Sequence, residues 1–321
     1  MANDAVTFDD VLAAREFLAS HLRPTPLIRR EAVCAALGVE ALLKCESTLP
    51  TAAFKVRGGL NLLGRDPTAK SGVIAASTGN HGQSLAYAGK TFGISVTIVA
   101  PVGANPLKLD AMRGYGATII EHGVDYDEAR EECERRAAAE GVRYVHSGNE
   151  PYLIAGVATA ALEVLEERPD VDVLIVPVGG GSGAAGACIA AKHMKPSVRV
   201  IGVQSEGAPA AYLSWRDWRP HKGGPIRTFA EGLATRTSFD LPQRILIDLL
   251  DDFVLVSDEE LYRAMRLLLV VGHQVAEGAG AAATAAAWKL RDQLRGKTVA
   301  LWISGANATA ESIQRALATA D

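Results

Sequence analysis

Along most of the chain, short runs of aliphatic and β-branched residues alternate with longer stretches in which apolar positions recur every three or four residues. The short runs, bounded by glycine, proline or polar clusters, predict buried strands, and the longer spacing predicts helices with one apolar face. Strands are expected at 41–45, 73–77, 95–100, 117–121, 143–146, 173–178, 198–204, 253–256 and 298–303. Between two of them, 124–140 carries Tyr126, Ala129, Cys133 and Ala137 at helical spacing among charged residues. Such a helix lays one face on a sheet and leaves the rest solvated.

Alternation of this kind belongs to parallel sheets wrapped by helices. Four of the strands fall between residues 73 and 146, with the others on either side. The expected fold class is therefore α/β, with two open, twisted, mainly parallel sheets and flanking helices. A smaller αβ domain of residues 50–149 is expected to be inserted in a larger one made of 1–49 and 150–321. No internal repeat, low-complexity tract or Pro/Ser-rich linker marks another boundary. In open α/β sheets ligands settle beyond the carboxyl ends of the strands, so the chemistry should gather in the cleft between the two domains.

Composition narrows the kind of ligand. The 321 residues are 48% hydrophobic and 22% charged, with aromatics at only 6% and 31 glycines, above the usual ~7% share. A formal charge of −4 gives no basic excess for nucleic acid or an anionic membrane, and a small neutral or zwitterionic partner fits better. Residues 173–191 carry no formal charge and approach the ~20 of a membrane helix, but Pro177 and the glycines after it predict a strand, a loop and a helix start. Cys34, Cys45, Cys133 and Cys188 form no CxxC pair, and no signal peptide opens the chain. Buried thiols in a reducing, cytoplasmic setting are expected.

Four segments carry candidate chemistry. VPVGGGSGAAG runs from an apolar strand into Gly179, Gly180, Gly181, Ser182 and Gly183, and small residues then open a helix. Backbone amides in such a loop and the positive end of the helix suit a phosphate. A dinucleotide site wants an acidic residue ~20 residues onward at a strand end. Gln204 stands near there, which favours a phosphorylated cofactor other than NAD. In TAAFKVRGGLNLL, Lys55 lies among small and apolar residues at a predicted helix start. Partial desolvation disfavours its ammonium form, and the free amine condenses with carbonyls. In ASTGNHGQ, Ser77, Thr78, Gly79, Asn80 and His81 place hydroxyl, amide and imidazole groups at a helix N-terminus, a cradle for a substrate carboxylate. In LWISGAN a strand ends at Ser304.

In this order and spacing, the four segments resemble the fold type II pyridoxal-phosphate enzymes, and among them the serine/threonine dehydratases and serine racemases. The likeness runs from RPTPL at Arg23 through SGAN. It implies pyridoxal 5'-phosphate as cofactor, a small amino-acid substrate and a homodimer. By resemblance, Lys55 is the catalytic lysine that also binds the cofactor, Phe54 lies against the cofactor ring and Asn80 contacts its hydroxyl. Gly179, Gly180, Gly181, Ser182 and Gly183 hold the phosphate, Gly232 of EGLA lines the other face of the ring, and Ser304 meets the pyridine nitrogen. Ser77, Thr78, Gly79, Asn80 and His81 take the substrate carboxylate. A neutral serine at the ring nitrogen does not stabilise a long-lived carbanion as a carboxylate does. The implied reaction is β-elimination, the dehydration and deamination of a β-hydroxy amino acid.

The chain also departs from the family pattern. The usual TGSFK is here Thr51, Ala52, Ala53, Phe54 and Lys55, and the lost hydroxyl points towards a larger or more apolar substrate such as threonine or 3-phenylserine beside serine. Thr78 stands where racemases carry an acid-base serine, which keeps racemisation open, although its extra methyl crowds that face and favours elimination. A cofactor-binding protein without turnover is the third reading, and Lys55 argues against it. Where some relatives bind a divalent cation, this chain has Gln204 and Ala210 around Glu206, too few oxygen ligands for a tight site, and no metal is expected. The regulatory domain of biosynthetic threonine dehydratases is not expected, nor is feedback by isoleucine.

Overall fold

The computed structural model describes residues 6–320 of the chain. Ten strands form two sheets: β1 Leu27–Arg29, β2 Glu40–Cys45, β3 Val73–Ala76, β4 Val96–Ala100, β5 Thr118–Glu121, β6 Arg143–Tyr144, β7 Val173–Pro177, β8 Arg199–Ser205, β9 Asp252–Val256 and β10 Thr298–Ile303. The six-stranded sheet has the order β1-β2-β10-β7-β8-β9, and the four-stranded sheet the order β5-β4-β3-β6. All pairings are parallel except that of β1 with β2, where Leu27 faces Lys44.

The nine strands expected from the hydrophobic runs are present, with no end moved by more than two residues. The strand expected at 143–146 stops at Tyr144, because the backbone then turns and the His146 ring accepts hydrogen bonds from Gly148 N and Asn149 N. The added strand is β1, three residues long on a sheet edge, too short to show a pattern. The helix expected at 124–140 spans Tyr126–Glu140, since Asp125 is its N-cap and accepts from Glu128 N. Its Ala129, Cys133 and Ala137 are buried against Ile74, Ala76 and Val99 of the four-stranded sheet. The uncharged stretch 173–191 is β7, a loop and most of helix Ser182–Met194. Among the described residues no helix is long and apolar enough to cross a membrane.

Helices cover both faces of the six-stranded sheet. Gly278–Lys289, made almost wholly of alanine and glycine, packs on one side, and Ser182–Met194 packs with Pro151–Glu167 on the other. Small residues let these backbones approach closely: a Cβ at Gly280 would lie 2.1 Å from Gly305 O. This is where the chain's alanine and glycine replace bulkier core residues.

Beneath the Lys55 loop lies a cluster of buried charges. Arg57 bonds Glu46 through Nε (2.7 Å) and Nη2 (2.9 Å), and Glu163 through Nη1 (2.6 Å) and Nη2 (2.8 Å). Lys44 also pairs with Glu163 and donates to Thr25 O at 3.0 Å. Two cations and two carboxylates balance, so their desolvation is met by mutual pairing. The cluster ties β2 and helix Pro151–Glu167 to helix Lys55–Arg65, which begins at the candidate lysine.

Candidate active site

Because β2, β10 and β7 are parallel neighbours, the loops that follow them emerge side by side at one sheet edge. The loop after β3 faces them from the four-stranded sheet. Together they enclose a cavity of about 380 Å³. Its lining includes every residue to which the resemblance gives a binding or catalytic role: Phe54, Lys55, Ser77, Thr78, Gly79, Asn80, His81, Gly179, Gly180, Gly181, Ser182, Gly183, Gly232 and Ser304.

The Lys55 segment is stitched to the loop after β10. Phe54 N donates to Ser304 O at 2.9 Å and Ala306 N to Ala52 O at 2.8 Å, with Ala53 bridging Gly305. Ala52 takes a left-handed φ of 52° to make this turn. Ala53 is fully buried beside Gly305, and neither alanine lines the cavity. The larger or more apolar substrate inferred from Ala53 therefore loses its basis, since this side chain packs behind the site.

Lys55 Nζ donates to Ser182 Oγ at 2.8 Å and to Ser147 O at 3.1 Å, and it lies 5.4 Å from the centre of the Phe54 ring. Burial lowers its pKa to about 8. The His81 imidazole, buried in the same cavity, is pushed down to about 3 by burial and then by the nearby charges of Lys55 and His146. His146 falls to about 4, chiefly through burial. Both rings are neutral at physiological pH, and the two bonds accepted by His146 Nδ1 place its hydrogen on Nε2.

The glycine loop fits a phosphate-bearing cofactor. It leads into the N-terminus of helix Ser182–Met194, whose free amides and dipole attract an anion. Side chains are excluded where the loop lies closest to its neighbours: a Cβ at Gly179 would lie 2.1 Å from Gly232 O, and one at Gly180 would lie 2.2 Å from the Phe239 ring. Gly181 has φ +87°, the left-handed region that glycine adopts freely. On the facing wall, Ser77 Oγ accepts from Gly79 N (3.2 Å) and Gly82 N (2.9 Å), so this hydroxyl shapes the loop before helix Asn80–Phe92.

Several lining residues escaped the motif reading. Asn80 Nδ2 donates to Glu277 Oε1 at 2.6 Å, and burial raises the pKa of that carboxyl. Glu277 had a visible signal, as the only formally charged residue between Arg266 and Lys289. Lys108 meets Glu231 at 2.7 Å, and Arg236 meets Asp127 at 2.8 Å and Asp125 at 3.2 Å, so two sets of ion pairs cross the cavity rim between the sheets. Tyr126, Ser147 and Phe239 are also part of the wall. No cluster of three or more metal-ligating side chains occurs among the described residues.

A buried amine of lowered basicity beside a phosphate cradle at the edge of a parallel sheet defines a class of cofactor enzyme. The family model described as pyridoxal-phosphate dependent enzyme matches residues 18–305, and the chain belongs to that family. It is a pyridoxal-phosphate-dependent enzyme of fold type II. Among characterised proteins it is 38% identical to the L-threonine ammonia-lyase of Thermotoga maritima over 97% of this chain and 78% of that one. It is 35% identical to the catabolic L-threonine dehydratase of Staphylococcus aureus over 94% of this chain and 89% of that one. The solved structure of maize serine racemase superposes with a TM-score of 0.92 at 28% identity, covering 98% and 97% of the two chains.

Proposed function

We propose that the chain is an ammonia-lyase that dehydrates and deaminates a β-hydroxy amino acid, L-threonine or L-serine, to a 2-oxo acid and ammonia. The observation that carries this reading is the buried Lys55 amine held between Ser147 O and Ser182 Oγ, its pKa lowered by burial to about 8. The ammonia-lyase and dehydratase relatives support it.

Bound pyridoxal phosphate supplies the electron sink that makes the Cα–H of an amino acid acidic. The amides of Gly179 to Gly183 would hold its phosphate, and Phe54, Asn80, Gly232 and Ser304, which line the same cavity, would hold its ring. The substrate carboxylate is held by the amides and hydroxyls of the Ser77 to His81 loop, in which Thr78 lines the cavity and Ser77 works mainly as a cap. Lys55, as neutral amine, takes the proton from Cα. Loss of the β-hydroxyl as water, followed by hydrolysis of the released enamine, gives the oxo acid and ammonia. Residues 50–149 form the unit that closes over the substrate, with the rim pairs Lys108–Glu231 and Arg236–Asp127 as its contacts to the other sheet.

Racemisation is the second reading, favoured by the place of Thr78 in the cavity lining and by the likeness to serine racemase. The deciding experiment incubates the enzyme with L-serine, L-threonine and both diastereomers of L-3-phenylserine and measures oxo acid and D-enantiomer in parallel. Oxo acid should dominate. If D-product outpaces it, elimination is not the main activity. Thr78→Ala should remove any racemisation and spare elimination.

A further inference from the structure

The phosphate loop carries one side chain beyond glycine, and it points to work for Ser182 other than anion binding. Ser182 is the first residue of helix Ser182–Met194 and is 2% exposed, so its hydroxyl is shut off from solvent. That oxygen accepts from Lys55 Nζ at 2.8 Å, while the second acceptor on the amine is the Ser147 carbonyl at 3.1 Å. The two acceptors come from different parts of the chain, Ser182 from the start of a helix beside the six-stranded sheet and Ser147 from the loop after β6 of the four-stranded sheet.

A neutral amine has two N–H bonds and one lone pair besides its carbon. When both N–H bonds are committed, the lone pair keeps a single direction. We propose that Ser182 is a positioning residue for Lys55: its hydroxyl, with the Ser147 carbonyl, fixes both N–H bonds so that the amine presents its lone pair to the cavity. The helix N-terminus adds to the effect, because its partial positive charge disfavours the ammonium form that has no lone pair to present. A nucleophile or base held in its reacting orientation is spared the loss of rotational freedom during reaction.

This inference rests on Lys55 being the cofactor lysine, and the test does not need turnover. The full-length chain, freed of cofactor, is mixed with pyridoxal phosphate, and capture by Lys55 is followed by absorbance at about pH 9.5, where the amine is neutral with or without its neighbour. Ser182→Ala should slow capture at least threefold, with about tenfold expected. Inorganic phosphate, measured as a competitor of capture, should keep its affinity within about threefold. Ser182→Gly, which matches its neighbours in the loop, should behave as Ser182→Ala and guards against a folding defect in one variant. Competitive acetylation of Lys55 across pH should place its titration lower in both variants, because the ammonium form loses an acceptor. A solely electrostatic role would then make the variants faster at neutral pH. Capture slowed by less than threefold, or a loss of phosphate affinity as large as the loss of rate, overturns the proposal. A wild-type chain that captures pyridoxal phosphate but leaves hydroxy amino acids untouched overturns the dehydratase reading alone.

Discussion

Asn307 Nδ2 donates to Asn80 Oδ1 at 2.7 Å and also to Thr51 O at 3.0 Å. One amide thus joins the loop after β10, the N-terminus of helix Asn80–Phe92 and the turn that presents Lys55. Because Asn80 gives an N–H to Glu277 as well, its amide is held from both ends and its orientation is set before any ligand arrives. Asn307→Ala removes one support from each of two loops. Pyridoxal phosphate should bind about tenfold more weakly, the equivalent of one lost buried hydrogen bond, as read by equilibrium dialysis.

Burial of Lys55 has a pH-dependent cost. The unfolded amine keeps its proton up to about 10.5 and the folded one only up to about 8. Between those values the unfolded chain binds more protons, so stability rises with pH, and below about 8 the cost is fully present, on the order of 3 kcal/mol. Lys55→Met in the cofactor-free chain should therefore raise the melting temperature at pH 7, with the gain fading above pH 8 and gone near pH 11. Melts across that range check it. The same variant should take up no borohydride-reducible cofactor.

Arg57 is the hub of the buried cluster. Arg57→Met would leave Glu46 and Glu163 with Lys44 as their one remaining cation in the cluster, and a buried carboxylate left unpaired costs about 3–5 kcal/mol. Urea unfolding should show a loss of that order. Burial pulls the Glu163 carboxyl upward, but Arg57 and Lys44 outweigh it and hold its pKa below the ordinary value. A carboxylate so depressed contributes stability above its unfolded pKa and loses it as pH falls through the folded one. In Arg57→Met that acid-side loss should be smaller than in the wild type.

Ala52 sits in left-handed backbone that costs an L-residue about 1–2 kcal/mol. Ala52→Gly should relieve that strain, while glycine's greater freedom in the unfolded chain takes back about half of the gain. A net stabilisation of about 0.5–1 kcal/mol is expected from the urea midpoint, with kcat unchanged because the Cβ lies outside the cavity lining.

Strand positions were legible because each strand's signal is local: 298–303 reads as Thr298–Ile303 directly from its apolar run. The cofactor loops were legible for the same reason, each being a strand end followed by glycine and a helix start. Partners distant in sequence were not. Lys44 in an apolar strand reads as a solvated charge, yet both faces of a parallel sheet are covered and its mate, Glu163, lies 119 positions away. Ser182 reads as one more small residue in a glycine loop, and its bond to Lys55 spans 127 positions. Ala53 shows the converse, a substitution beside the key lysine whose side chain faces away from the chemistry.

The place of β10 between β2 and β7 sets the order in which the molecule becomes competent. During synthesis β2 and β7 emerge early, but neither can pair with the strand that separates them until residue 303 has left the ribosome. The Lys55 turn likewise waits for Ser304, Gly305 and Ala306 before its backbone bonds exist. Pairing of β2 with β10, the last strand, closes a long loop and is intrinsically slow. A nascent chain halted before β10 would hold the lysine and the glycine loop but no cofactor site, so that loading with pyridoxal phosphate reports that β10 has been made and paired.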